Sequence, residues 1–233
     1  RLNEIHSLDE ESNTTNFGNT GNMPTNKGLV LKNLSFTYTG AGNEPVLQNI
    51  NLHIPEGKVT AIVGMSGSGK TTLLKLLLRF YENYQGDIDF EEHKSWKSLD
   101  HTFWRSKCGS VMQDGYIFND NIANNIAVTD GNPDYEKLTH ACKVANILPF
   151  IESLPLGFNT KIGAEGNGIS QGQKQRILIA RAVYKNPDYL FFDEATNALD
   201  ANNEKEIMEQ LNEFFKGRTV VVVAHRLSTV KNA

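Results

Sequence analysis

Cysteine is scarce in this chain. Cys108 and Cys142 are the only two in 233 residues, and neither belongs to a CxxC pair or stands at a metal-ligand spacing from a histidine. A disulfide framework is therefore excluded, and a reducing compartment fits. Long hydrophobic runs are lacking as well: stretches such as Val220–Ala224 and Tyr189–Phe192 fall far short of the roughly eighteen apolar residues that a membrane helix needs. Nor is there a basic cluster. The 23 Lys and Arg are scattered among 27 Asp and Glu for a net charge of −4, which excludes the electrostatic footprint of a nucleic-acid binder. No initiator methionine and no charged-then-apolar leader appear at Arg1, so a piece excised from a longer chain is expected.

What is present is an apolar content of 39%, enough to close one core or two unequal lobes. Residues 11–28 are rich in Asn, Thr and Gly and read as a flexible linker, so residues 1–28 are set apart from a folded unit over 29–233. From Leu29 the apolar residues alternate as half-buried strands do: Leu29 and Leu31, then Leu34, Phe36 and Tyr38, then Ile50, Leu52 and Ile54, closed by the turn Pro55-Glu56-Gly57. An apolar strand at Val59–Val63 leads into a glycine-rich loop and then a leucine-dense helix. A mostly helical insert is expected over 119–168, where Pro133 can open a helix at its first position and Leu138, Ala141, Cys142 and Ala145 share one face. Helix 171–185, strand Tyr189–Phe192, helix 202–215 and strand Thr219–Ala224 then alternate in the rhythm of a largely parallel α/β sheet. There is no internal repeat.

Gly64-Met65-Ser66-Gly67-Ser68-Gly69-Lys70-Thr71, followed by Thr72, satisfies GxxxxGK[ST] between a strand and a helix, which is where a phosphate loop must sit. A random chain of this length would match about one time in a hundred, so an incidental Gly/Ser turn is a poor explanation. The glycines let backbone N–H groups turn onto phosphate oxygens, and the helix dipole adds positive potential there. Lys70 reaches the β- and γ-phosphates, and Thr71 ligates Mg²⁺. A second acidic site narrows the possibilities. Tyr189–Phe192 ends in Asp193 and Glu194 at the C-terminal edge of the sheet; Asp193 can hold Mg²⁺ through water and Glu194 can activate the attacking water.

Between the two lies Ile169-Ser170-Gln171-Gly172-Gln173, and here the chain resembles the ABC ATPase family, whose signature reads LSGGQ; the resemblance covers nearly everything from Leu29 to Ala233. On residue chemistry alone, Ser170 with Gln173 fits a capping box that opens the next helix with its N–H groups facing an anion. The resemblance implies a P-loop NTPase fold with a RecA-like, mostly parallel sheet, an antiparallel β subdomain and a helical subdomain. It also implies ATP and Mg²⁺, and a head-to-tail dimer in which Ser170, Gly172 and Gln173 meet the γ-phosphate held by the partner subunit. Gln171 replaces the first of the family's paired glycines, and the close approach is expected at Gly172 and the Ser170 hydroxyl.

By the same resemblance Tyr38 looks like the aromatic that stacks on adenine, and Gln113 like the glutamine that contacts Mg²⁺ and water. Asn197-Ala198-Leu199-Asp200 is similar to the family's SALD segment, with Asp200 also suited to cap the following helix. His225 looks like the switch histidine at the γ-phosphate; His6, His53, His93, His101 and His140 are read as surface or packing residues. Ile162-Gly163-Ala164-Glu165-Gly166 sits where many exporters carry a GERG-like segment, with Ala164 in place of the usual glutamate. Val111–Ile126 and the run from Gly166 to Ala182 look closest to bacterial peptide and bacteriocin exporters. That likeness implies membrane domains upstream, a site at the cytoplasmic face and no nucleic-acid partner. The alternative is an ABC-type ATPase of DNA repair or translation, which would usually carry coiled coils or basic surfaces. A GTPase reading of Asn26-Lys27-Gly28-Leu29 fails for want of an aspartate and a position after the P-loop.

Overall fold

A computed structural model describes residues 23, 27–40, 42, 44–91, 96–129, 131–163, 166, 168–193 and 201–224. In chain order the elements are β1 (Leu29–Phe36), β2 (Leu47–Ile54), β3 (Val59–Val63), α1 (Lys70–Leu77), β4 (Gln85–Phe90), α2 (His101–Ser106), β5 (Cys108–Val111), β6 (Asp120–Asn121), α3 (Ile122–Ala127), α4 (Tyr135–Val144), α5 (Leu148–Ser153), β7 (Lys161–Ile162), α6 (Gln171–Lys185), β8 (Tyr189–Asp193), α7 (Ala201–Phe215) and β9 (Thr219–Ala224). Single 3₁₀ turns lie at Trp96–Ser98 and Gly157–Asn159.

Two main sheets result. One is antiparallel, in the order β2-β1-β4; the other is parallel, in the order β3-β9-β8-β5. The parallel sheet is covered on both faces, which is why β8 reads as an unbroken apolar run rather than an alternating one. Tyr189 and Phe191 join the core shared with β1, β2, β4 and α1, whereas Leu190 and Phe192 join the core built by α3, α4, α6 and α7. One strand thus ties both lobes together, and its C-terminal end is fixed from either side.

In the antiparallel sheet the expected alternation slips between Leu31 and Leu34. Asn33 there has φ 50, its N–H donates to Asn51 Oδ1 at 3.0 Å, and the register shifts, so that Leu34 and Phe36 still face inward. Besides the short antiparallel pair of β6 and β7 inside the mostly helical insert, three elements escaped sequence reading: β4, the turn at Trp96 and α2. Together they deliver an aromatic knot in which Trp104 lies 4.8 Å from Trp96 and 4.6 Å from Tyr189, ring to ring, with its indole N–H donating to Leu77 O at 2.8 Å. That bond occupies a carbonyl at the end of α1, the phosphate-loop helix.

Pro133 does not open α4. The helix begins two residues later, with Asp134 as its N-cap accepting from the N–H groups of Glu136 and Lys137 at 3.0 and 3.1 Å. A carboxylate that satisfies two orphan donors at a helix start outweighs the fixed φ of a proline one residue earlier. Leu138, Ala141, Cys142 and Ala145 are all buried on one face, as their spacing requires. The longest helices, α6 and α7, occupy the positions that the 3.6-residue period indicates. α6 opens on the reciprocal capping box of Ser170 and Gln173 and closes at Asn186, which has φ 51 and is followed by Pro187.

Candidate nucleotide site

The turn from β3 into α1 runs through Gly67 (φ 79) and Gly69 (φ 86), both in the left-handed region that side chains resist. At Gly69 the space is closed as well: a Cβ would come within 2.7 Å of Leu47 Cδ2 and 2.9 Å of Val46 O, so the antiparallel sheet itself presses on this residue. With no side chain to accommodate, the backbone curls, and the Lys70 ammonium reaches back over the loop. It donates to Gly64 O at 2.8 Å and Met65 O at 2.7 Å, with Ser68 Oγ at 3.4 Å. Lys70 is buried and, among the described residues, bonded to neutral oxygens rather than to a carboxylate. A cation held at a helix N-terminus by neutral oxygens is suited to a polyanion.

The next residue links the loop to the acidic strand. Thr71 Oγ1 donates to Asp193 Oδ2 at 2.7 Å across 122 positions of sequence. Strand order makes this possible: β9 lies between β3 and β8, pairing Ala224 with Val63 and Val223 with Asp193, so the ends of all three strands share one edge of the sheet. Asp193 is fully buried there. Thr71 and Asp193 supply hard oxygen donors, few in number, which suits Mg²⁺, an ion that keeps waters and phosphate oxygens as its remaining ligands. No cluster of three or more His, Cys, Asp or Glu exists among the described residues, so an all-protein metal cage has no candidate there.

Tyr38 stands beyond β1 beside the same helix. Its hydroxyl is 2.9 Å from Thr72 Oγ1, and its ring packs edge-on against Phe36 at 5.0 Å and Tyr81 at 5.4 Å. Tyr81 is a companion that sequence reasoning missed; an aromatic just after a leucine-rich helix carries no signal of its own. Gln113 lies on the turn after β5 and is exposed; since β5 neighbours β8, it stands at the sheet edge that holds Asp193. Glu194, Asp200 and His225 lie outside the described residues, as do Ala164 and Glu165; in the chain, Glu194 follows Asp193 and His225 follows Ala224.

Ser170, Gly172 and Gln173 form a separate group. Ser170 N–H donates to Gln173 Oε1 at 2.8 Å and Gln173 N–H to Ser170 Oγ at 3.2 Å, so these residues bond one another rather than the phosphate loop. Their helix is the hub of the helical lobe. Arg181 Nε donates to Asn125 O at 2.8 Å and its NH1 to Tyr116 O at 3.0 Å. Tyr184 Oη accepts from Asp134 N–H at 3.0 Å, and Lys185 Nζ donates to Arg105 O at 2.7 Å. Asn125, buried, in turn brackets the 118–121 segment through Phe118 N–H at 2.8 Å and Phe118 O at 3.0 Å. The exposed start of α6 thus belongs to a helix held from several sides. A cavity of about 560 Å³ bordered by His140, Tyr184, Phe214 and Arg218 opens beside α6 and contains none of the motif residues.

Comparison with known proteins agrees with this geometry. The family model for the ABC transporter matches residues 47–197. Mouse "ATP-binding cassette sub-family B member 10, mitochondrial" is 44% identical, over 91% of this chain and 31% of its own length. The "Toxin RTX-I translocation ATP-binding protein" of Actinobacillus pleuropneumoniae is 46% identical, over 91% of this chain and 30% of its own. "Alpha-hemolysin translocation ATP-binding protein HlyB" of Proteus vulgaris is 45% identical, over 89% and 29%. The chain therefore spans about three tenths of the length of these relatives. Among solved structures, that of a bacterial Atm1-family ABC exporter with ATP bound superposes with a TM-score of 0.88 at 35% identity, over 100% of this chain and 40% of that one. Since the matched segment takes in the phosphate loop, the signature turn and the acidic strand end alike, this chain belongs to the ABC transporter family.

Proposed function

We propose that this chain is the ATP-hydrolysing motor domain of an ABC exporter, working as a pair with a second such domain and driving transport through attached membrane domains. The observation that carries this reading is the 2.7 Å bond between Thr71 and Asp193, which unites the phosphate loop with the acidic strand end. The names of the relatives, toxin translocation proteins among them, support export of a peptide or protein cargo from the cytoplasmic face of a membrane. They disfavour a role in DNA repair or translation. Among the described residues no helix is long and apolar enough to cross a membrane.

In this reading Tyr38 lies against adenine, and the N–H groups from Gly64 to Thr72 surround the phosphates. Lys70 leaves the Gly64 and Met65 carbonyls for the β- and γ-phosphate oxygens, exchanging neutral acceptors for charged ones. Thr71, Asp193 and Gln113 would hold Mg²⁺, whose charge would offset that of the phosphates. Glu194 accepts the proton of the attacking water as its oxygen bonds to the γ-phosphorus and the bond to the β–γ bridging oxygen breaks, leaving ADP and phosphate; His225 steadies the γ-phosphate. Ser170, Gly172 and Gln173 of one copy close on the phosphate held by the other, with Asp200 at the same seam. Hydrolysis therefore requires two copies.

The test is phosphate release by the purified protein. Activity should depend on Mg²⁺ and rise more steeply than linearly with protein concentration, and Ser170→Arg should abolish it while each monomer still binds nucleotide. Normal hydrolysis by Ser170→Arg would remove the signature turn from the mechanism.

A further inference from the structure

Asn146 follows the C-cap of α4 in the left-handed conformation, with φ 49. Its N–H donates to Lys143 O at 3.0 Å, and the N–H of Ile147 donates to Cys142 O at 2.9 Å, the bond pair of a Schellman turn. Glycine is the residue that this position favours on backbone grounds. Asparagine does here what glycine cannot: Asn146 Nδ2 donates to Glu206 Oε2 on α7 at 2.7 Å. Its carbonyl also accepts from Arg176 NH1 at 3.0 Å, and Arg176 Nε donates to Gly172 O at 3.3 Å, inside the signature turn.

These bonds make one continuous path: Gly172, Arg176, Asn146, Glu206. It begins at the exposed start of α6 and ends on α7, which follows Asp193 in the chain after residues 194–200, a span that includes Glu194 and Asp200. A cation and an anion sit on opposite sides of a single asparagine, so both of its polarised bonds are charge-assisted. The only other bond from a helix-end asparagine to this helix region comes at its far end, where Arg218 NH2 donates to Asn186 Oδ1 at 2.6 Å among the described residues. α7 is therefore held to the helical lobe near its start and to the end of α6 just past its finish.

We propose that Arg176, Asn146 and Glu206 are positioning residues for ATP hydrolysis, setting the signature turn of the helical lobe at a fixed place relative to α7. This rests on the motor reading above. The bridge acts through Gly172 at one end and through Glu206 of α7 at the other. Its loss leaves nucleotide binding by each phosphate loop intact and lowers the rate of the step that needs both parts in register.

The test uses the intact protein. In Asn146→Gly the lost hydrogen bond is offset by glycine's ease at positive φ, so Tm should stay within about 3 °C of wild type. Nucleotide affinity and KM should hold, while kcat falls about tenfold, the lower end of what one charge-assisted bond is worth. Asn146→Asp places a carboxylate against Glu206 and should lower kcat further. Adding Glu206→Gln to it restores the bond with donor and acceptor exchanged and should recover most of the loss. Glu206→Ala, on the exposed face of α7, removes the bridge without touching the turn and should match Asn146→Gly. Wild-type kcat in Asn146→Gly and Glu206→Ala, or no recovery in the Asp/Gln pair, would overturn the bridge and leave the motor reading standing. A wild-type protein that does not hydrolyse ATP would overturn the motor reading and the bridge with it.

Discussion

Replacing Gly69 with alanine probes the physical claim on which the nucleotide site stands, that the phosphate loop takes its shape from the sheet beneath it. Two costs add. The residue has φ 86, and an L side chain in the left-handed region costs about 1–2 kcal/mol. The new methyl would also lie 2.7 Å from Leu47 Cδ2, 2.9 Å from Val46 O and 3.3 Å from Val46 Cγ1. A leucine tip can swing aside, but the Val46 carbonyl cannot, because Val46 N–H is bonded to Phe36 O at 2.8 Å and its backbone runs directly into β2. Relieving that contact should cost about 1–3 kcal/mol more, as overpacked sites do. The sum, about 2–5 kcal/mol, corresponds to a Tm lowered by about 5–15 °C in a domain of this size.

Gly67→Ala separates the two costs. Gly67 shares the positive φ, at 79, yet nothing lies within 4 Å of its added methyl, so only the backbone cost of about 1–2 kcal/mol should appear. Gly131→Ala, with neither feature, should melt with wild type. Calorimetry ranks the three, and titration with a fluorescent ATP analogue should show binding lost in Gly69→Ala. A Gly69→Ala protein that melts no lower than Gly67→Ala and binds ATP as wild type does would refute the claim that the sheet shapes the loop.

Two further outcomes follow from the cores. Trp104→Phe removes the donor to Leu77 O and leaves a void in the aromatic knot, so denaturant unfolding should show a loss of about 2–3 kcal/mol, whereas an unchanged midpoint would mean that the knot contributes nothing net. Burial pushes both thiols up, Cys142 from 9.0 to about 12, so neither should react with an aromatic disulfide reagent at pH 8 until the chain is unfolded. A raised folded-state pKa means stability that is fully present below pH 9 and lost as pH climbs towards 12; a flat stability profile across that window would contradict the burial of Cys142.

Much of this architecture is legible residue by residue. The phosphate loop announces itself because glycines, lysine and threonine must stand at fixed offsets, and the start of α6 because Ser170 and Gln173 cap each other. Even the slip from Leu31 to Leu34 is visible in the spacing of apolar residues; its cause, the bulge at Asn33, is not. What remained hidden depends on partners distant in sequence. β4 contributes only Ile88 and Phe90 to the core and takes its strand form from β1. α2 is six residues long, too short for a period to emerge, and is held by Trp104. The Thr71–Asp193 bond follows from strand order, and the Arg176–Asn146–Glu206 path from three helix ends meeting, neither of which local spacing encodes.

The central claim is that two copies of this domain close on ATP and open on its hydrolysis. Sedimentation of Glu194→Gln with and without Mg-ATP tests it most directly, because this change should block proton removal from water without touching Lys70, Thr71 or Asp193. A stable dimer in ATP that reverts to monomer in ADP, with phosphate release nearly abolished, is the predicted result. A Glu194→Gln protein that stays monomeric with ATP bound, or that hydrolyses ATP at the wild-type rate, would contradict it.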